Sequence, residues 1–141
     1  MIYFDNAATT KNKPAEVIDA VVNAMKNFGN SSRGVHEESL SADRIVFKTR
    51  KKLAKMFNVG NSRQVVFTKN ATESLNIAIN GLFSENDHII TSVAEHNSVL
   101  RPIHYLKEKG VEVSYIGVSE NGVINFDEIP SLIKANTKAI V

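Results

Sequence analysis

Val65-Val66-Phe67-Thr68-Lys69-Asn70-Ala71-Thr72-Glu73-Ser74 is the stretch on which the fold turns. The apolar run from Val65 to Thr68 has the length and the β-branched and aromatic content of a strand. Directly after it, Leu75, Ala78, Ile79 and Leu82 fall on one helical face that ends near residues 81–84. A strand feeding straight into a helix is the first half of a βαβ unit, and the chain repeats the pattern downstream. His88 to Val93 reads as a second strand, Val99, Ile103 and Leu106 mark the next helix, and Gly110 offers its stop. Val111, Val113 and Tyr115 alternate as a third strand. After the Asn121-Gly122 turn, Ile129, Leu132 and Ile133 mark a further helix, and Lys138 to Val141 opens a fourth strand. Strands alternating with helices predict an α/β fold with a mostly parallel sheet and flanking helices.

Upstream the pattern differs. From Pro14, Val17, Val21, Ala24 and Phe28 share one face of a helix that Gly29 can stop. A longer helical pattern runs from Glu37 to Phe57, with Val46, Leu53 and Phe57 on one stripe and Lys48, Lys51, Lys52 and Lys55 on another. Such a lysine stripe is ordinarily the solvated side of a helix. Residues 1–60 are therefore expected to form a helical N-terminal segment, and residues 61–141 the first part of the α/β domain. A parallel sheet left at an opening fourth strand has an unprotected edge. The chain is accordingly expected to be cut short of a complete domain.

Composition narrows the function classes. The 141 residues are 43% apolar and 23% charged, with a net charge of +2, which suits a globular protein and is too small a surplus to argue for nucleic-acid binding. No apolar run reaches the length of a membrane span, and the opening residues lack a signal-peptide pattern, so a cytoplasmic protein without membrane contact is expected. Cysteine is absent and the four histidines have no ligand spacing, so no metal site is expected.

In open α/β sheets, ligands bind beyond the carboxyl ends of the strands. Two strand-to-helix loops stand there. In the first, Thr68 to Glu73, the free amides of a helix start could hold a phosphate, with the Thr72 hydroxyl as an added donor. The same residues also spell a capping box, with Asn70 accepting from the first turn and Glu73 reaching back to it, which needs no ligand. In the second, Ala94 to Ser98, His96 could stack on an aromatic ring or move protons near neutral pH. It could equally lie beside an ordinary cap made by Asn97 or Ser98.

Four blocks carry a family resemblance. Asp5-Asn6-Ala7-Ala8-Thr9-Thr10, Arg33-Gly34-Val35-His36, Asn70-Ala71-Thr72-Glu73-Ser74 and Glu95-His96-Asn97-Ser98-Val99-Leu100 resemble, in order and spacing, the motifs of cysteine desulfurases and their class V aminotransferase relatives. Asn70 stands where many of these relatives have glycine. The resemblance implies a fold-type I, pyridoxal 5'-phosphate enzyme that forms a homodimer, and assigns this chain to the N-terminal portion, including part of the cofactor-binding large domain. It implies a cofactor site at Asn70, Ala71, Thr72 and His96, with the amides of Ala71 and Thr72 and the Thr72 hydroxyl on the phosphate. His96 would stack on the pyridine ring and take the catalytic role. Asn6, Ala7, Ala8 and His36 would line the approach of substrate.

The reaction so implied releases sulfur from L-cysteine, or selenium from selenocysteine, and leaves alanine, with a sulfur-acceptor protein as a partner. A class V aminotransferase or another pyridoxal-phosphate lyase is the alternative within the enzyme class. A non-catalytic binding or dimerisation module is the alternative outside it. The family's Schiff-base lysine follows a histidine, and none of His36, His88, His96 and His104 is followed by lysine. The isolated chain is therefore expected to be inactive.

Overall fold

A computed structural model describes residues 2–31 and 34–141. The chain divides into two compact units, residues 1–66 and 67–141.

The first unit is built on two helices, α1 (Ala15–Asn27) and α2 (Glu37–Met56). Pro14 precedes the first turn of α1, and its fixed φ of −54° suits that entry. No described residue of α1 is buried, and Val17 and Val21 remain about half exposed. In α2 the buried residues are Ser39, Ala42 and Ala54, while Phe57, expected on its apolar stripe, is exposed. Small side chains let the backbone approach closely here. A Cβ on Gly34 would overlap the side chain of Ser39, which explains a glycine at that point.

The expected strand at Val65–Thr68 does not form. After a short 3-10 turn, Ser62–Gln64, the backbone is extended at Val65 (φ −87°, ψ 114°), yet Val66 stays 74% exposed and residues 65–68 belong to no sheet. Local propensity favours extension, but a strand also needs a neighbouring backbone at pairing distance. The described sheet pairs β2, β1 and β3 alone, and residues 65–68 are in register with none of them.

The second unit opens with α3 (Ala71–Leu82), followed by β1 (His88–Ser92), α4 (Asn97–Glu108), β2 (Glu112–Ile116), the one-turn α5 (Ile129–Leu132) and β3 (Thr137–Ile140). The described sheet has the order β2-β1-β3 and is parallel throughout, so the segment expected as a fourth strand is the third. All five residues of β1 are buried, which fits a central strand. Ile89 pairs with Val113 and Ala139, and this row packs with Ile79, Phe83, Val99, Ile103 and Leu106 of the α3 and α4 side into one core.

Helix α4 ends as its sequence indicates. The Val111 amide donates to Leu106 O at 3.1 Å and the Gly110 amide to Lys107 O at 3.2 Å, with Gly110 at φ +90°. This paired closure satisfies the last carbonyls and brings buried Val111 against buried Leu106. At the same end of the sheet, His88 is fully buried and bridges all three strands: Nδ1 lies 2.7 Å from Thr137 Oγ1 and Nε2 lies 2.8 Å from Ser114 Oγ.

Candidate functional site

The two loops singled out from the sequence lead into the helix starts of α3 and α4 in the second unit. Asn70 caps α3, its Oδ1 accepting from the Glu73 amide at 2.9 Å. The Glu73 carboxylate accepts from the amide of Lys69 at 2.8 Å, one residue before the position expected from spacing. Thr68 ties down the approach, its Oγ1 donating to Asn70 O at 3.0 Å and lying within hydrogen-bond reach of Ser74 Oγ. Among the described residues, the amides of Ala71 and Thr72 have no acceptor, and the Thr72 side chain is exposed. The capping box and a set of free donors therefore coexist in one helix start, each using different amides.

The second loop leaves buried β1. Ser92 Oγ accepts from the Ala94 amide at 3.2 Å and faces Glu95 Oε1 at 3.4 Å, which shapes the turn ahead of α4. His96 is itself the cap of α4: its Nδ1 accepts from the Ser98 amide at 3.1 Å and lies 2.9 Å from Ser98 Oγ. The expected cap, Asn97 or Ser98, is thus replaced by the imidazole, because an sp2 ring nitrogen at this position reaches the amide two residues on.

Thr72 and His96 line one crevice of about 370 Å³, together with Asn76, Asn97, Ser98 and Arg101. Asn76 and Arg101 are not among the residues to which the sequence points. Asn76 follows Thr72 by one turn and donates to its carbonyl at 2.9 Å, so helical spacing was the available signal. Arg101 also borders an adjoining apolar groove of about 540 Å³ lined by Val93, Leu100, His104 and Tyr115. The smaller crevice brings Thr72, at a helix start with unpartnered first amides, together with His96 and Arg101. Aligned peptide dipoles at the start of α3 reinforce the attraction for an anion. These donors fit the phosphate of pyridoxal phosphate, and the imidazole fits a flat heterocycle beside it.

The remaining expected residues lie in the first unit. Asn6, Ala7 and Ala8 form an exposed turn closed by the Thr9 amide on Asp5 O at 3.2 Å and by the Tyr3 hydroxyl on Thr9 O at 2.8 Å. His36 stands at the start of α2, exposed, without a side-chain cap bond. Arg33 of the same motif lies outside the described residues. Among the described residues, no three His, Cys, Asp or Glu side chains gather as a metal site, and no helix is long and apolar enough to cross a membrane.

Residues 2–141 match the family described as aminotransferase class-V. The cysteine desulfurase IscS of Buchnera aphidicola subsp. Acyrthosiphon pisum (strain 5A) is 37% identical over 143 residues, covering 96% of this chain and 35% of that protein. Among solved structures, the apo cysteine desulfurase of Thermococcus onnurineus NA1 aligns with a TM-score of 0.84 at 33% identity, over 99% of this chain and 35% of that one. A structure described as SspA in complex with cysteine aligns with a TM-score of 0.81 at 31% identity, over 98% of this chain and 40% of that one. The chain thus spans about a third of the length of the curated relatives it matches. The likeness bears out both the family resemblance of the four motifs and the α/β fold class.

Proposed function

The chain belongs to the aminotransferase class V family, and on that premise we propose that it is the N-terminal portion of a pyridoxal-phosphate-dependent cysteine desulfurase. The whole enzyme takes sulfur from L-cysteine, leaves alanine and hands the sulfur to an acceptor protein, working as a cytoplasmic homodimer. The observation that carries this reading is Thr72, at a helix start whose first amides are unpartnered among the described residues, sharing one crevice with His96. The cysteine held by one similar structure supports a cysteine-like substrate.

When bound, the cofactor supplies the electron sink for the substrate amino acid. The residues of this chain do the holding. The amides of Ala71 and Thr72 and the Thr72 hydroxyl take the phosphate, and the Asn70–Glu73 box keeps those amides aimed by occupying the neighbouring ones. His96 covers the ring and can donate a hydrogen bond from its imidazole to the ligand. No histidine here is followed by lysine, so the covalent anchor of the family is not among these 141 residues. The chain alone is expected to bind the cofactor through its phosphate and not to turn over cysteine.

Titration of the chain with pyridoxine 5'-phosphate tests the reading, since this analogue has no aldehyde to react with surface lysines. Saturable shifts at the Ala71, Thr72 and His96 resonances are expected. Pyridoxine without phosphate should bind at least roughly tenfold more weakly, and Thr72→Ala should cost about as much, as befits a hydrogen bond to a charged group. Equal binding of both compounds, or shifts confined to other residues, would overturn the site. Sulfide released from cysteine by the chain with pyridoxal phosphate would refute the inactivity.

A further inference from the structure

We propose that Ser98 is a positioning residue that fixes His96 in the tautomer carrying its proton on Nε2. Its mechanistic role rests on the cofactor reading above, whereas the tautomer itself does not.

The geometry admits one economical proton assignment. Nδ1 of a neutral imidazole has a single in-plane lone pair or a single hydrogen. Here the backbone N–H of Ser98, which can only donate, points at Nδ1 from 3.1 Å. A proton on Nδ1 would face that N–H head-on and leave it without an acceptor. The lone pair must therefore lie on Nδ1 and the hydrogen on Nε2. Ser98 Oγ stands 2.9 Å from the same nitrogen and can donate to it or accept from it, so the backbone amide makes the assignment. Ser98 is buried on α4, so neither donor is free to swing away into water.

Two consequences follow for the crevice. The ring is held at its cap end, and Nε2 makes no hydrogen bond among the described residues, so the proton-bearing nitrogen is left for whatever occupies the space beside Thr72. The hydroxyl, unlike the amide, works in both directions. When the imidazole takes a second proton, Nδ1–H can donate to Ser98 Oγ, so the ring stays tethered through a protonation cycle. In the neutral ring Nε2 therefore presents a hydrogen to a ligand and cannot accept one, because the lone pair lies on Nδ1.

Long-range proton–nitrogen correlation spectra of the uniformly 15N-labelled chain at pH 8 read the tautomer directly, with His96→Gln assigning the ring among the four histidines. The expected result is a pyridine-like Nδ1 and a pyrrole-like Nε2 at His96. Ser98→Ala keeps the backbone donor and should leave the Nε2–H form in excess, whereas Ser98→Pro, which removes the N–H at an early helical position, should lower the ratio of the Nε2–H to the Nδ1–H form about fivefold, the worth of one ordinary hydrogen bond. A wild-type ring protonated on Nδ1, or a ratio unmoved by Ser98→Pro, overturns the proposal. The buried His88 ring reports whether each variant is folded; should Ser98→Pro not fold, the wild-type tautomer decides alone. The spectra contain no cofactor, so their outcome is independent of the pyridoxine phosphate titration.

Discussion

Asn70 Oδ1 accepts the Glu73 amide at 2.9 Å while Glu73 Oε2 accepts the Lys69 amide at 2.8 Å, so two residues close a ring of bonds around the start of α3. The ring passes over Ala71 and Thr72. A helix start offers several unpartnered amides, and the protein spends its side chains on the ones that flank the candidate phosphate position. The cap thus leaves the amides of Ala71 and Thr72 open, as the proposed phosphate site requires.

Removing the cap should show both effects. Asn70→Ala is expected to lower the stability of the chain by about 1 kcal/mol and to speed amide exchange through the first turn of α3. Pyridoxine 5'-phosphate should bind more weakly to the same variant. Denaturant unfolding and exchange rates at residues 71–74 check this; unchanged exchange would mean that the cap does not order the amides.

The stability of the second unit should depend on His88. Burial, and secondarily the charge of Lys134, holds its pKa below the ordinary value near 6.5, against a smaller opposing pull from Glu112. The folded state thus keeps the ring neutral while the unfolded chain protonates it. His88 contributes fully above about pH 6.5, and its contribution is lost as pH falls from there toward the lower folded value, with a slope of at most about 1.4 kcal/mol per pH unit. Asp87 and Glu112 are shifted down by their bonds to Lys138 and Lys134, so their losses come separately, at more acid pH. Unfolding midpoints between pH 7 and 5 should fall in the wild type and stay flatter in His88→Gln.

Thr91 is fully buried in β1, and its hydroxyl has no hydrogen-bond partner among the described residues. Strand alternation puts it on the same face as Ile89, toward the apolar core. Thr91→Val keeps the shape and removes an uncompensated polar group, so a gain of about 1 kcal/mol is expected in urea unfolding. A loss instead would reveal that the hydroxyl is satisfied.

Two glycines separate backbone strain from crowding. Gly110 (φ +90°) and Gly122 (φ +76°) both occupy conformations that L residues disfavour, but a Cβ on Gly110 would stand 2.8 Å from Glu85 Cγ while one on Gly122 meets open space. Each alanine substitution should destabilise by about 1–2 kcal/mol through strain. Gly110→Ala should cost more, and adding Glu85→Ala should recover the difference. Equal melting temperatures for the two single variants would contradict the crowding.

Several features were legible before any fold was known because their energetics close within a turn or two of chain. Pro14 before α1, the Gly110 stop of α4 and the Asn70–Glu73 box each involve residues at most a few positions apart, and propensity and capping decide them locally. The exchange of the expected α4 cap for His96 stayed within the same two or three residues. The run at Val65–Thr68 shows the limit of such reading. Its composition is that of a strand, but pairing is a relation between two segments, and the sheet has β2 and β3 on the two sides of β1.

The sequence by itself determined where the main helices run, that Asn70 and Glu73 cap one helix start, and that an imidazole stands at the start of the next long helix. Only the tertiary structure decided that Thr72 and His96 border the same crevice, and that His88 finds Thr137 and Ser114. The reason is entropic: a bond between neighbours closes a short loop, whereas His88 and Thr137, 49 residues apart, meet only after packing of the whole sheet has offset the cost of bringing distant chain together.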